Sequence, residues 1–247
     1  MYPPHLTYLN VPNTAWFNPC YGVFGFQKEL QRLKELHGST VDVWRHRDIK
    51  RSKEIYATAI AAMGFAHQTT PKTTWWIHKP IQDPPDGVIG TIVKRGDIQE
   101  MHVREVEVVE NFDGNVENTI LVKLKQKQYE PNTVLVCLLS TMGILDLKSL
   151  STKIINQHTN LEHIFVAAHG REVSSIPKNA TEAEIIRALF ALTIVQLKPT
   201  FASVTVDLLT ACEEWKQGKE GNFFIFEKRG RGTENRSVTL DNPPTLF

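Results

Sequence analysis

Three carboxylates frame the chemistry this sequence can do. Asp86 follows two prolines in "PPDG", and Glu105 and Glu107 stand one residue apart in "IQEMHVREVEVVE", Ile98 to Glu110. The alternation of that stretch is strand-like and puts Val103, Glu105, Glu107 and Val109 on one face. Two like charges so placed repel unless water, a proton or a cation separates them. Asp86 stands nineteen residues before Glu105, at the start of the preceding hairpin arm, where antiparallel pairing brings it beside the glutamates. Three convergent carboxylates form a hard, all-oxygen ligand set that suits Mg²⁺, with Mn²⁺ as a substitute. An ion in that position activates a water and neutralises charge developing on a phosphodiester, so hydrolysis of a phosphate diester is the reaction that best uses the arrangement. A strand that merely turns its polar face to water is the other reading of the same spacing.

The elements that must position these residues follow from periodicity. "FQKELQRLKELHG" spaces Phe26, Leu30, Leu33 and Leu36 as one helical face and stops at Gly38. "RSKEIYATAIAAMGF" predicts a second helix, with Ser52 as its cap and Gly64 as its end. "TTWWIHKP", "GVIGTIVKR" and "IQEMHVREVEVVE" predict three strands in an antiparallel meander. "VENTILVKLKQKQY" then reads as a helix with Ile120, Leu121 and Leu124 inward, "PNTVLVCLLS" as a strand covered on both faces, "DLKSLSTKIINQH" as a helix and "LEHIFVAAHG" as another buried strand. Strand, helix, strand with apolar strands calls for parallel neighbours and right-handed crossovers, so the sheet is mixed and the class is α/β. Beyond Pro177, "TEAEIIRALFALTIVQL" predicts a helix with a Thr181 and Glu184 capping box. The tail holding "GNFFIFEKRGRG" offers an edge strand, and the proline-rich residues 1–25 read as an extended arm.

Composition sets bounds on function. The chain has 247 residues, 41% hydrophobic and 22% charged, enough for a substantial core. A formal net charge of +1 provides no global field for nucleic acid, so any such binding rests on local patches. Cys20, Cys137 and Cys212 are odd in number and widely spaced, as expected of reduced thiols in a reducing compartment. With no signal-peptide pattern and no apolar run of membrane-spanning length, the chain reads as a cytoplasmic protein without a membrane partner.

The order helix, three strands, helix, strand, helix, strand, with Pro85 and Asp86 opening the second strand and an acidic pair on the third, resembles the PD-(D/E)XK superfamily of restriction-endonuclease-like nucleases. The likeness covers roughly residues 50–170. It implies an α/β fold with a restriction-endonuclease-like core, a mixed β-sheet flanked by helices, and decorations at both ends: an arm and helix over residues 1–48 and a helical and edge-strand extension over 178–247 of one domain. It further implies Asp86 and Glu105 as metal ligands, Val106 as the spacer of the motif, and Glu54 in the first core helix as a further ligand. Glu107 occupies the position where most members carry a lysine; a minority carry glutamate there, which implies a base or an additional metal contact. The activity implied is Mg²⁺-dependent hydrolysis of DNA by an endonuclease of restriction type, and a homodimer is the assembly that a double-strand cut favours.

The basic residues supply the rest of the expectation. Lys123 and Lys127 lie one helical turn apart and can turn toward a scissile phosphate, replacing part of the missing positive charge. Arg45, Arg47 and Arg51 in "WRHRDIKRSK", and Lys228, Arg229 and Arg231 in "EKRGRG", are the local clusters that would hold DNA phosphates. Trp75 and Trp76 are candidates for stacking on bases, with at least one expected in the core. The alternative, from another functional class, is a nuclease-like fold serving as a noncatalytic nucleic-acid or protein interaction module. A small-molecule α/β enzyme is a third reading, for which no cofactor fingerprint is present.

Overall fold

A computed structural model describes residues 13–38, 40–68, 74–80, 84–95, 98–140, 145–157, 159–169, 179–182, 184, 191–207 and 223–227. Two helices pack against each other over one face of a sheet. The first, α1 (Pro19–His37), starts where the Asn18 side chain accepts the Cys20 N–H at 2.9 Å and Pro19 occupies the first turn. It ends at Gly38, whose φ of 90° lets its N–H return to the Lys34 carbonyl at 2.8 Å. A short helix α2 (Thr40–Arg45) and a 3-10 turn (Arg47–Ile49) lead into α3 (Lys50–Gln68). Helix α3 is buried from Ser52 to Phe65, which explains its small residues. Gly22 of α1 lies so close to Ala59 that an added Cβ would sit 2.9 Å from the alanine methyl.

The strands are β1 (Asn13–Phe17), β2 (Trp76–His78), β3 (Gly87–Arg95), β4 (Ile98–Asn111), β5 (Thr133–Leu139), β6 (His163–His169), β7 (Ala191–Lys198), β8 (Ala202–Asp207) and β9 (Phe223–Glu227). Among the described residues they form one nine-stranded sheet in the order β8-β7-β6-β5-β4-β3-β2-β1-β9. Strands β4, β5 and β6 are mutually parallel, and the remaining neighbours are antiparallel. Helices α4 (Val116–Gln126) and α5 (Leu147–Ile155) supply the crossovers. One core lies between α1, α3 and the sheet, with Ile89, Val106, Val136 and Phe165 pointing into it. A second lies under α4 and α5, lined by Leu135, Cys137, Ile164 and Val166. Consecutive residues of β5 alternate between the two, which is why "TVLVCLL" is apolar throughout. Cys20 and Cys137 are buried, and burial pushes the Cys137 thiol up to about 12. No helix among the described residues is long and apolar enough to cross a membrane.

The expected succession from the buried helix through the meander to β6 is the observed one, α3-β2-β3-β4-α4-β5-α5-β6. Several expectations need correction. Residues 13–17 of the expected arm form β1 inside the sheet, and Pro19 starts α1 instead of breaking the chain. Leu36 is 63% exposed, whereas Phe26 and Leu33 are buried. Ser52 lies within α3 and is buried; Gly64 does not end the helix but gives room to the Phe165 ring, 3.1 Å from where its Cβ would stand. The Thr181 and Glu184 box exists, with the Thr181 N–H donating to Glu184 Oε2 at 2.7 Å. The helix expected to run on through "ALTIVQL" does not: Ala191–Lys198 is β7, because β-branched Thr193, Ile194 and Val195 sit beside β6 with both sheet faces covered. The expected tail strand is β9, at the sheet edge next to β1.

Candidate active site

The meander register brings the carboxylates to one place. Gly87 pairs with Val106 and Val88 with Glu105, so Asp86, the residue before β3, stands opposite Glu107 where the two strands part. Gly87 opens β3 directly beneath α3: a Cβ there would run into the Thr58 hydroxyl. Beyond that point β4 continues without β3 as a partner, and the Asp86 carboxylate takes over the ladder, its Oδ2 accepting the Val108 N–H at 2.8 Å. A backbone amide therefore fixes the orientation of this carboxylate.

Val106 faces the core beneath α3, so Glu105 and Glu107 face α4, as alternation predicts. Glu107 is only 6% exposed. Its carboxylate meets two ammonium groups from the end of α4, Lys127 Nζ at 2.5 Å from Oε1 and Lys123 Nζ at 3.3 Å from Oε2. The expected positive charge is thus present, and it comes from the following helix. Lys127 is the residue at which that helix gives way to extended backbone. Glu105, partly exposed, lies one strand step from this centre, opposite Val88 on β3 and Thr133 on β5. Register thus makes Asp86 and Glu107 the matched acidic pair.

Glu54 is buried on α3, on the other side of the sheet. Lys79, just after β2, links it to the centre: Lys79 Nζ lies 2.6 Å from Glu54 Oε2 and donates to the Asp86 carbonyl at 2.8 Å. Lys50 approaches Glu54 Oε1 at 3.4 Å. Among the described residues no group of three or more His, Cys, Asp or Glu side chains is gathered in a form that could hold a metal ion. Lysines occupy the carboxylate oxygens in this arrangement. The donors are all hard oxygens, the donor type that Mg²⁺ or Mn²⁺ takes, and register sets Asp86 opposite Glu107.

Two residues of the site escaped the sequence reading. Lys79 carries no motif, and its role exists only because β2 ends beside Asp86. Tyr129, in the connection to β5, is buried, and its hydroxyl has no hydrogen-bond partner among the described residues. Burial first, then the charges of Glu107 and Asp86, raise its pKa above the ordinary phenol value. The Lys127 ammonium lies 5.3 Å from its ring centroid.

The expected phosphate-binding residues divide. Arg45 is exposed and lies over the Phe112 ring at 5.7 Å, next to the end of β4. Arg47 and Arg51 are exposed, and Arg47 lies 3.4 Å from Asp48. Lys228, Arg229 and Arg231 fall outside the described residues. Trp75 and Trp76 are both buried, which removes them as base-stacking platforms.

Comparison of the chain with protein-family models, with curated proteins and with solved structures gave no match.

Proposed function

We propose that this protein is a metal-dependent endonuclease that hydrolyses DNA phosphodiester bonds, with a restriction-endonuclease-like core. The observation that carries this reading is the parting of β3 and β4 at Asp86 and Glu107, where two opposed carboxylates are served by Lys123 and Lys127. The element order from α3 to β6 supports the same reading, since it is the order the resemblance to the PD-(D/E)XK nucleases requires. The protein's buried thiols suit a reducing compartment, and we place it in the cytoplasm.

Asp86 and Glu107 would hold the ion, with Glu105 as the further carboxylate, whereas Glu54, on the other side of the sheet, would act only through Lys79, which reaches the Asp86 carbonyl. When bound, Mg²⁺ or Mn²⁺ supplies Lewis-acid neutralisation and an activated water. The chain supplies the rest. The Val108 N–H keeps the Asp86 carboxylate in one orientation. Lys127, with a side chain 46% exposed, turns from Glu107 toward an incoming phosphate, and Lys123 follows. Each ammonium thus exchanges a carboxylate for a phosphate oxygen, and the positive charge stays at the reacting centre. Arg45, Arg47 and Arg51 hold flanking phosphates. Two-fold pairing of copies would place two such centres on the two strands.

The test is cleavage of supercoiled and linear plasmid DNA with Mg²⁺, Mn²⁺ or EDTA by wild type, Asp86→Ala and Glu107→Ala. Metal-dependent cutting that both variants lose is the expected result. DNA that is bound in EDTA but never cut would overturn it in favour of a noncatalytic binding module.

A further inference from the structure

Tyr129 presents a buried donor with nothing to bond. Its hydroxyl has no partner among the described residues, although the Glu107 and Asp86 carboxylates both act on it electrostatically. A phenol at neutral pH keeps its proton and seeks an acceptor, and unpaired buried donors are uncommon in native proteins. The reason lies in Lys127. Its ammonium holds Glu107 Oε1 at 2.5 Å and lies against the Tyr129 ring, 5.3 Å from the centroid. Glu107 has an ammonium on each of its oxygens while the nearby tyrosine hydroxyl goes without a partner among the described residues.

That imbalance belongs to one state of the site. Glu107 is 6% exposed and cannot lose a charged donor to water without cost. Lys127, by contrast, is half in solvent and able to follow a phosphate. We infer that Tyr129 is a positioning residue that replaces Lys127 as the hydrogen-bond donor to Glu107 when a phosphodiester draws the lysine away. No covalent bond or proton is transferred; one carboxylate exchanges an ammonium donor for a phenol. This inference rests on the nuclease reading only for the identity of the anion that attracts Lys127.

The exchange is testable without catalysis by a double-mutant cycle in thermal unfolding of the free protein. Tyr129→Phe alone should leave the melting temperature unchanged or raised, because it removes an unpaired hydroxyl. In the Lys127→Ala background the hydroxyl has taken over Glu107, so Tyr129→Phe should lower the melting temperature by roughly 2–4 °C. Equal effects in the two backgrounds, or destabilisation by Tyr129→Phe alone, would overturn the inference. In the plasmid assay Tyr129→Phe should lose roughly tenfold to a hundredfold in kcat with KM little changed. Wild-type turnover in that variant would overturn the inference and leave the nuclease reading standing. A wild-type protein that never cuts DNA, with the thermal coupling present, would overturn the nuclease reading and leave the donor exchange standing.

Discussion

Two acid–lysine clusters sit three residues apart on β4, on opposite faces of the sheet, and they are built differently. At Glu110 one lysine does everything: Lys53 is 5% exposed, with its ammonium on Glu110 Oε2 at 2.5 Å, on the Trp44 carbonyl at 2.9 Å, and 5.7 Å from the centres of the Trp44 and Phe112 rings. The cluster is closed. At Glu107 two partly exposed lysines share one buried carboxylate, and a buried hydroxyl beside them is left over. The Lys53 and Glu110 pair ties α3 to the sheet through a lysine that is itself buried and already carries a carboxylate and a carbonyl. A cluster with surplus cation and surplus donor has capacity for an anion, and that distinction is the one the proposed nuclease reading uses in giving chemistry to Glu107 and architecture to Glu110.

The sharpest way to break this contrast is catalytic. Glu107→Gln should reduce metal-dependent cleavage on the order of a thousandfold, whereas Glu110→Gln should retain most of it, as measured by plasmid nicking rates. Comparable losses would merge the two clusters into one function. Stability should show the reverse ranking: Lys53→Ala, which strands a partly buried carboxylate and a carbonyl, is expected to cost about 2 kcal/mol in urea unfolding. Lys127→Ala should cost less than about 1 kcal/mol, since half of that side chain is already in water. A separate effect concerns the strand start that aims Asp86. Gly87→Ala forces a methyl into the Thr58 hydroxyl and should cost roughly 1–3 kcal/mol, and the paired change Thr58→Ala in the same chain, which removes that hydroxyl, should return part of it.

The last prediction uses a residue outside both clusters. Burial, then the Arg104 charge, lowers the His163 pKa to about 4. Between its ordinary value of about 6.5 and that lower value the unfolded chain binds a proton that the folded one does not. Stability from this group is therefore complete above pH about 6.5 and is lost as the pH falls toward 4. Unfolding curves across that range should slope downward on acidification for wild type and flatten for His163→Gln. This slope should be independent of every substitution at Glu107 or Glu110, which lie elsewhere in the sheet.

The sequence revealed pattern more clearly than register. Strands β3 and β4 were readable because "GVIGTIVKR" and "IQEMHVREVEVVE" carry β-branched residues between clear breaks. The acidic face of β4 follows from alternation alone, whereas Lys127, expected one helical turn beyond Lys123, lies just past the end of α4 in extended backbone and still reaches Glu107. Pairing of Asp86 with Glu107, one step from the residue the motif spacing selects, could not be read, because register depends on how the hairpin closes. Tyr129 and Lys79 acquire their roles from elements distant in sequence. β7 was misread because a continuous apolar run fits a buried helix and a central strand equally well, and only its neighbours decide.

The sheet order also has a consequence in time. Strand β1 meets β2 at one residue pair, Phe17 with Ile77, but meets β9 along its whole length, from Asn13 opposite Glu227 to Phe17 opposite Phe223. Its main partner therefore leaves the ribosome more than two hundred residues later, an interval of roughly 10–40 s at ordinary rates of synthesis. Throughout that interval the outer edge of β1 offers its amides and carbonyls to any strand that passes, including the same edge of a neighbouring nascent copy. Of the described strands, the first in sequence is the one whose main partner arrives last.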